Sequence, residues 1–201
     1  MKVSKIITSG FLILLFFSLK SDSLPKEFSN LLQRTKLIFT PTEGMIETKC
    51  IKNEQMNYDY ALKYKDKNFE VRYAIMPMDS LLAQYERGKK KGDLVIHPNK
   101  LSVSLFEATL LNIGISGTNS GELPKYSFFD STAVKSEFNA DWGATAFVNL
   151  GKEFGGKKYK YCMVIIIHKD FVGDACFFYV SDKKESMSEL MKKPFHSLRF
   201  M

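Results

Sequence analysis

Two stretches decide the fold: Cys162-Met163-Val164-Ile165-Ile166-Ile167 and, eight residues on, Ala175-Cys176-Phe177-Phe178-Tyr179-Val180. Each is apolar at every position. A strand with one solvated face alternates; a strand apolar on both parities is covered on both faces. The two are therefore central strands of a sheet with helices on each side. Their connection, at about 169–173, is short enough only for an antiparallel hairpin. In that register Cys162 faces residue 180 and Cys176 faces residue 166. The sulfurs then sit about 13 Å apart along the ladder, whereas a disulfide needs Cα atoms within about 7 Å. Both are expected as buried free thiols. With Cys50 the cysteines number three; an odd, small count excludes a disulfide-dense scaffold.

Working outward, Met56, Tyr58, Tyr60, Leu62 and Tyr64 alternate with Asn57, Asp59, Ala61 and Lys63. After the turn Lys65-Asp66-Lys67-Asn68, Phe69, Val71, Tyr73 and Ile75 alternate again. With a strand at about 45–51 they predict an antiparallel meander ended by Pro77. Helical spacing marks 24–36 (Phe28, Leu31, Leu32), a short helix from Asp79 or Ser80, and 100–113 (Leu101, Leu105, Phe106, Leu110, Ile113). A further helix carries Met187, Leu190 and Met191, with Asp182 and Glu185 as a capping box. Val134 to Ala140 reads as a strand, with Glu137 and Asn139 sharing one face about 7 Å apart. Asp141-Trp142-Gly143 bends the chain, strand continues over 144–150, and 151–157 is loop. Leu198 and Phe200 form a final extension. The fold class is α+β: a mostly antiparallel sheet with helices packed on both faces.

Residues 1–23 are set apart from this domain. Lys2 and Lys5 precede an uncharged run, Ile6 to Leu19, and Ser21-Asp22-Ser23 supplies a small-x-small cleavage site. As a helix that run spans roughly 21 Å, short of the ~30 Å hydrocarbon core. This is the anatomy of a secretory signal peptide, so 24–201 is expected as one exported domain, periplasmic or extracellular, with no stable membrane span after cleavage. The 201 residues carry 29 basic and 22 acidic side chains, a net +7. The leader holds three Lys and one Asp, leaving 26 basic against 21 acidic, a net +5. That mild excess, in an exported chain, argues against nucleic acid as partner. Lys89-Lys90-Lys91, flanked by Gly88 and Gly92, reads as a solvated loop. A chain 45% hydrophobic and 13% aromatic supports a packed core and excludes disorder.

The sequence names no reaction. Gly151-Lys152-Glu153-Phe154-Gly155-Gly156-Lys157-Lys158 has the G-x4-G-K spacing of a phosphate loop. Lys158 stands where Ser or Thr must hold magnesium, and a strand follows where a helix is needed. His97, His168 and His196 lack metal-ligand spacing. Neither a catalytic residue nor a metal or cofactor site is assigned. The three histidines read as isolated surface or strand-end residues; the alternative for His168, across the hairpin end from Asp174, is an oriented base. Glu137, Asn139 and Asp141, beside the sole Trp142, form the most distinctive polar stretch. It is read either as a structural corner or as a recognition patch. The candidate binding residues are Glu137, Asn139, Asp141, Trp142 and His168, with loops near 87–99, 115–125 and 139–143 around them.

Val134-Lys135-Ser136-Glu137-Phe138-Asn139-Ala140-Asp141-Trp142-Gly143-Ala144, followed by Tyr159-Lys160-Tyr161-Cys162 and Ile167-His168-Lys169, resembles a group of uncharacterised secreted bacterial proteins. The element order is similar to the Mog1/PsbP-like fold, an antiparallel sheet between helices. Proteins of that fold mainly bind partners, so the resemblance implies a non-enzymatic module for a protein or small-molecule partner. None of their interface motifs matches here. The alternative is an exported hydrolase with a site assembled around His168/Asp174 or Glu137/Asp141. An imidazole, a carboxylate and a Ser or Cys meeting in one pocket would favour it.

Overall fold

The computed structural model describes residues 24–114 and 122–201. Its strands are β1 (Leu37–Phe39), β2 (Met45–Glu47), β3 (Tyr60–Tyr64), β4 (Phe69–Pro77), β5 (Tyr126–Phe128), β6 (Trp142–Asn149), β7 (Tyr161–Lys169), β8 (Gly173–Ser181) and β9 (Leu198–Phe200). Its helices are α1 (Lys26–Arg34), α2 (Asp79–Lys91), α3 (Ser102–Ile113), α4 (Ser131–Phe138), α5 (Lys152–Gly155) and α6 (Met187–Met191), with a 3-10 turn at Pro98–Leu101 before α3. The predicted leader at 1–23 and residues 115–121 of the expected 115–125 loop lie outside the described residues.

Seven strands form one antiparallel sheet in the order β2-β3-β4-β8-β7-β6-β5. β7 and β8 lie inside it, as their two-sided apolar character requires. Their register pairs Cys162 with Val180 and Ile166 with Cys176, and all three cysteines are free. The sheet is covered on both faces. On one, Phe28, Phe138, Met187 and Phe200 pack against Tyr73, Ile165, Phe177 and Tyr179. On the other, Phe106, Leu110, Ile113 and Phe154 pack against Val164, Ile166, Cys176 and Phe178. The domain is thus an antiparallel α+β sandwich. β1 and β9 form a separate two-stranded ladder, Leu37 opposite Phe200 and Phe39 opposite Leu198.

Five local expectations are corrected. Asp182 and Glu185 form no capping box: α6 is preceded by Ser186 and has no side-chain hydrogen bond at its N-cap. Residues 134–138 are helix, not strand: Val134 and Phe138 are one helical turn apart and both buried. The Asp130 carboxylate accepts from the N–H groups of Thr132 (2.9 Å) and Ala133 (3.0 Å), an N-cap that starts α4 upstream of the alternation. Asn139 ends α4 in the left-handed region at φ 49°, so Glu137 and Asn139 share no strand face. Residues 56–59 precede β3 instead of extending it. Asn53 closes a turn by accepting from the N–H groups of Gln55 and Met56. The Asp59 carboxylate then takes the Ile75 N–H at 2.7 Å. Lys89-Lys90-Lys91 is the last turn of α2, ended by Gly92 at φ 82°; cations at a helix C-terminus and a left-handed glycine beyond it are mutually favourable. Finally, 152–155 turns once as α5 within the expected loop.

Trp142 and Gly143, expected in a bend, already belong to β6, and Gly143 is required there by close approach. A Cβ there would lie 2.8 Å from the Ile166 carbonyl oxygen and 3.1 Å from Val134 Cγ2. β6 therefore packs backbone against β7 while α4 crosses directly above it.

Candidate functional site

The β7–β8 hairpin end gathers Asp141, Trp142 and His168. The register sets Trp142 opposite His168 and His168 opposite Asp174. His168 is fully buried. Its Nδ1 bonds Asp174 Oδ1 at 2.6 Å and its Nε2 bonds Asp170 Oδ1 at 2.9 Å. Asp174, also buried, accepts from the Ser102 hydroxyl at 3.0 Å. Asn99 donates to Asp170 at 2.9 Å and accepts from the Phe171 N–H at 3.1 Å, tying the 3-10 turn to the hairpin. The indole of Trp142 stacks on the imidazole, centroids 5.1 Å apart and planes 24° apart.

Burial lowers the affinity of His168 for a proton, but the hydrogen bonds and charges of Asp174 and Asp170 outweigh it. The net shift is upward from the ordinary 6.5. Both ring nitrogens face carboxylate oxygens, an arrangement that favours the protonated ring. An imidazole, a carboxylate and a serine do converge, but in an order unsuited to nucleophilic catalysis. The Ser102 hydroxyl faces the carboxylate instead of the ring, and both ring nitrogens are occupied. Ser102, His168 and Asp174 are all buried, so the cluster opens on no pocket.

Asp141 binds the same corner from outside. Its Oδ2 accepts from the Asp170 N–H at 2.9 Å, its Oδ1 meets Lys135 Nζ at 3.1 Å, and its own N–H donates to the His168 carbonyl at 2.8 Å. Partial burial raises its pKa; the Asp170 N–H, Lys135 and Lys169 more than reverse this, leaving it below the ordinary carboxylate value. Asn139 is placed on the opposite face. Its carbonyl accepts from Lys169 Nζ at 2.6 Å, and its side-chain amide donates to the Met201 carbonyl at 2.6 Å. Glu137 is not brought to Asp141 and instead meets His196 Nε2 at 3.1 Å. Among the described residues no group of three or more His, Cys, Asp or Glu is arranged to hold a metal ion, and no helix is long and apolar enough to cross a membrane.

A different feature is open to a ligand. Between α6 and the β6–β7 pair lies a groove of about 530 Å³ with walls of Phe147, Met163, Met187, Met191 and Phe195. Lys184, Lys192 and His196 stand at its rim. Lys184 Nζ lies 4.8 Å over the Phe147 ring, whereas Lys192 pairs with Glu189 and His196 with Glu137. No sequence pattern marks this groove as a whole. Met187 and Met191 at i, i+4 mark one wall, but the other requires the Phe147–Met163 pairing, set only by the sheet register.

No protein-family model matches the chain, and no curated protein is similar to it.

Proposed function

We propose that the protein is a non-enzymatic binding module, exported once residues 1–23 are cleaved. It holds an apolar chain ending in an anionic group in the α6/β6–β7 groove. One observation carries this reading: the groove is apolar on its walls and cationic on its rim. Its volume falls in the range of small-ligand sites, roughly 300–1,000 Å³. Methionine walls adapt to irregular chains. The Lys184 ammonium, over the Phe147 ring and with no carboxylate at ion-pair distance among the described residues, is the counter-charge for the ligand's head. The bonding order of the His168 cluster favours binding over hydrolysis. The resemblance to Mog1/PsbP-like proteins, which mainly bind partners, points the same way.

Titration calorimetry with linear carboxylates from octanoate to dodecanoate tests this. Each buried CH2 contributes about 0.8 kcal/mol, so affinity should rise roughly fourfold per added methylene. Lys184→Glu and Met163→Asp should each weaken binding. Affinity independent of chain length, or unmoved by both variants, would overturn the proposal. Mass spectrometry of the exported protein should show an N-terminus near residue 24; an intact Met1 would defeat the export reading.

A further inference from the structure

The segment Gly151–Lys158 fails as a phosphate loop, yet it forms one wall of the larger cleft, about 840 Å³, beyond the ends of β6 and β7. Lys152, Lys157 and Lys160 line it with Leu150, Tyr159 and Tyr161, and no acidic residue does. Among the described residues none of these lysines has a carboxylate within ion-pair distance. The one acid of the segment, Glu153, is turned away to accept from the Gln55 side chain. By contrast, the neighbouring depression around Lys67 and Lys183 is neutralised by Asp66, Asp182 and Glu189.

The wall is fixed before any ligand arrives. Phe154 is buried with its ring 4.9 Å from the Arg72 guanidinium, and its carbonyl accepts from Arg72 Nη1. The Leu150 N–H donates to the Lys160 carbonyl at 2.8 Å, closing the base of the loop. Gly156, at φ 72°, turns the chain between Lys152 and Lys157, and a Cβ there would meet nothing. Three unneutralised ammonium groups around one preformed concavity create a local positive potential far denser than the chain's modest net charge. Such a site recruits multiply charged anions.

We propose that this cleft binds a small polyanion, a ligand carrying two or more phosphate or carboxylate groups, with the ammonium groups of Lys152, Lys157 and Lys160 as its counter-charges. None of its lysines lines the apolar groove, although Tyr161 of the cleft stacks on Phe147 of the groove.

Titration of the protein with inorganic pyrophosphate and, separately, with citrate tests the inference and distinguishes phosphate from carboxylate recognition. At least one should bind, and the Lys157→Ala/Lys160→Ala variant should weaken it by about tenfold or more. The Lys89→Ala/Lys90→Ala variant, at the end of α2, removes the same charge elsewhere and should leave affinity within about twofold. Binding should also fall as ionic strength rises from about 0.05 to 0.5 M. All four lysines are exposed; the cleft variant should keep the parent melting temperature, while the Lys89→Ala/Lys90→Ala variant, which loses two cations from the end of α2, should stay within a few degrees of it. Failure of both anions to bind would overturn the proposal. So would equal weakening by the two variants, since that reports only overall charge.

Discussion

Replacing His168 by Leu tests what holds the hairpin end together. The variant keeps an apolar group beneath Trp142 but removes the cation between Asp174 and Asp170. Asp174, 1% exposed, is left with the Ser102 hydroxyl alone. Removing one partner of a buried ion pair costs about 3–5 kcal/mol. The Asp170 side chain is half in water, so its share is at most about 1 kcal/mol. For a chain of this size each kcal/mol shifts the melting temperature by about 2–4 °C, which places the loss between about 6 and 24 °C. Urea unfolding at pH 6 measures it, and His168→Leu/Asp174→Leu should recover most of the stability by removing the stranded charge. The parent should also show a pH signature. Because the folded-state pKa of His168 is raised, its contribution is fully present below the unfolded value near 6.5 and is lost as pH rises through the folded value. His168→Leu should lack that step. The sole tryptophan, stacked on the ring, reports the same titration, since an imidazolium quenches indole fluorescence more than a neutral imidazole. A His168→Leu variant within about 1 kcal/mol of the parent at pH 6 would refute the buried-cation account.

Other expectations follow from the same contacts. Arg72, 1% exposed, pairs with buried Glu70 at 2.6 Å; Arg72→Met should cost about 3–5 kcal/mol in denaturant unfolding, with Glu70→Leu in the same chain restoring most of it. Asp141→Ala should lower stability by about 1 kcal/mol, the worth of its bond to the Asp170 N–H. Because the folded pKa of Asp141 is depressed, that difference should be present at neutral pH and vanish as pH falls through the folded value. In the folded protein a thiol reagent should label exposed Cys50, slowly because partial burial and nearby carboxylates raise its pKa, while buried Cys162 and Cys176, whose thiol pKa values burial raises, should react only on unfolding.

The elements legible in the sequence were those whose neighbours are also their sequence pattern. β7 and β8 had no solvated parity, so their central place, antiparallel pairing and thiol separation followed without knowledge of the rest. His168 opposite Asp174 followed from the same register. The partners that make the site what it is, Ser102 and Asn99, arrive from around a helix start some 70 residues away, and no local pattern announces them. The α4 sequence reads as a strand because Val134, Phe138 and Ala140 satisfy a two-residue and a helical period about equally over so short a run. The deciding signal was Asp130, a capping residue outside the window. β5 has three residues and its pattern is drowned by the turn chemistry beside it. The lysine run at 89–91 shows the converse error: adjacent glycines suggested a loop, yet Gly92 and the cations were a helix ending in plain view.

The β1–β9 ladder sets an order of assembly. Residues 37–39 find their partner about 160 residues further along the chain, so during synthesis the first strand waits for nearly the whole domain to emerge. Until then Leu37 and the Phe28, Phe39, Tyr60 and Tyr73 rings that meet beside it lack the cover of Leu198 and Phe200. A chain that closes its core last becomes resistant to proteases in one late step. Truncating a handful of residues from the end should therefore leave a chain that collapses but does not lock.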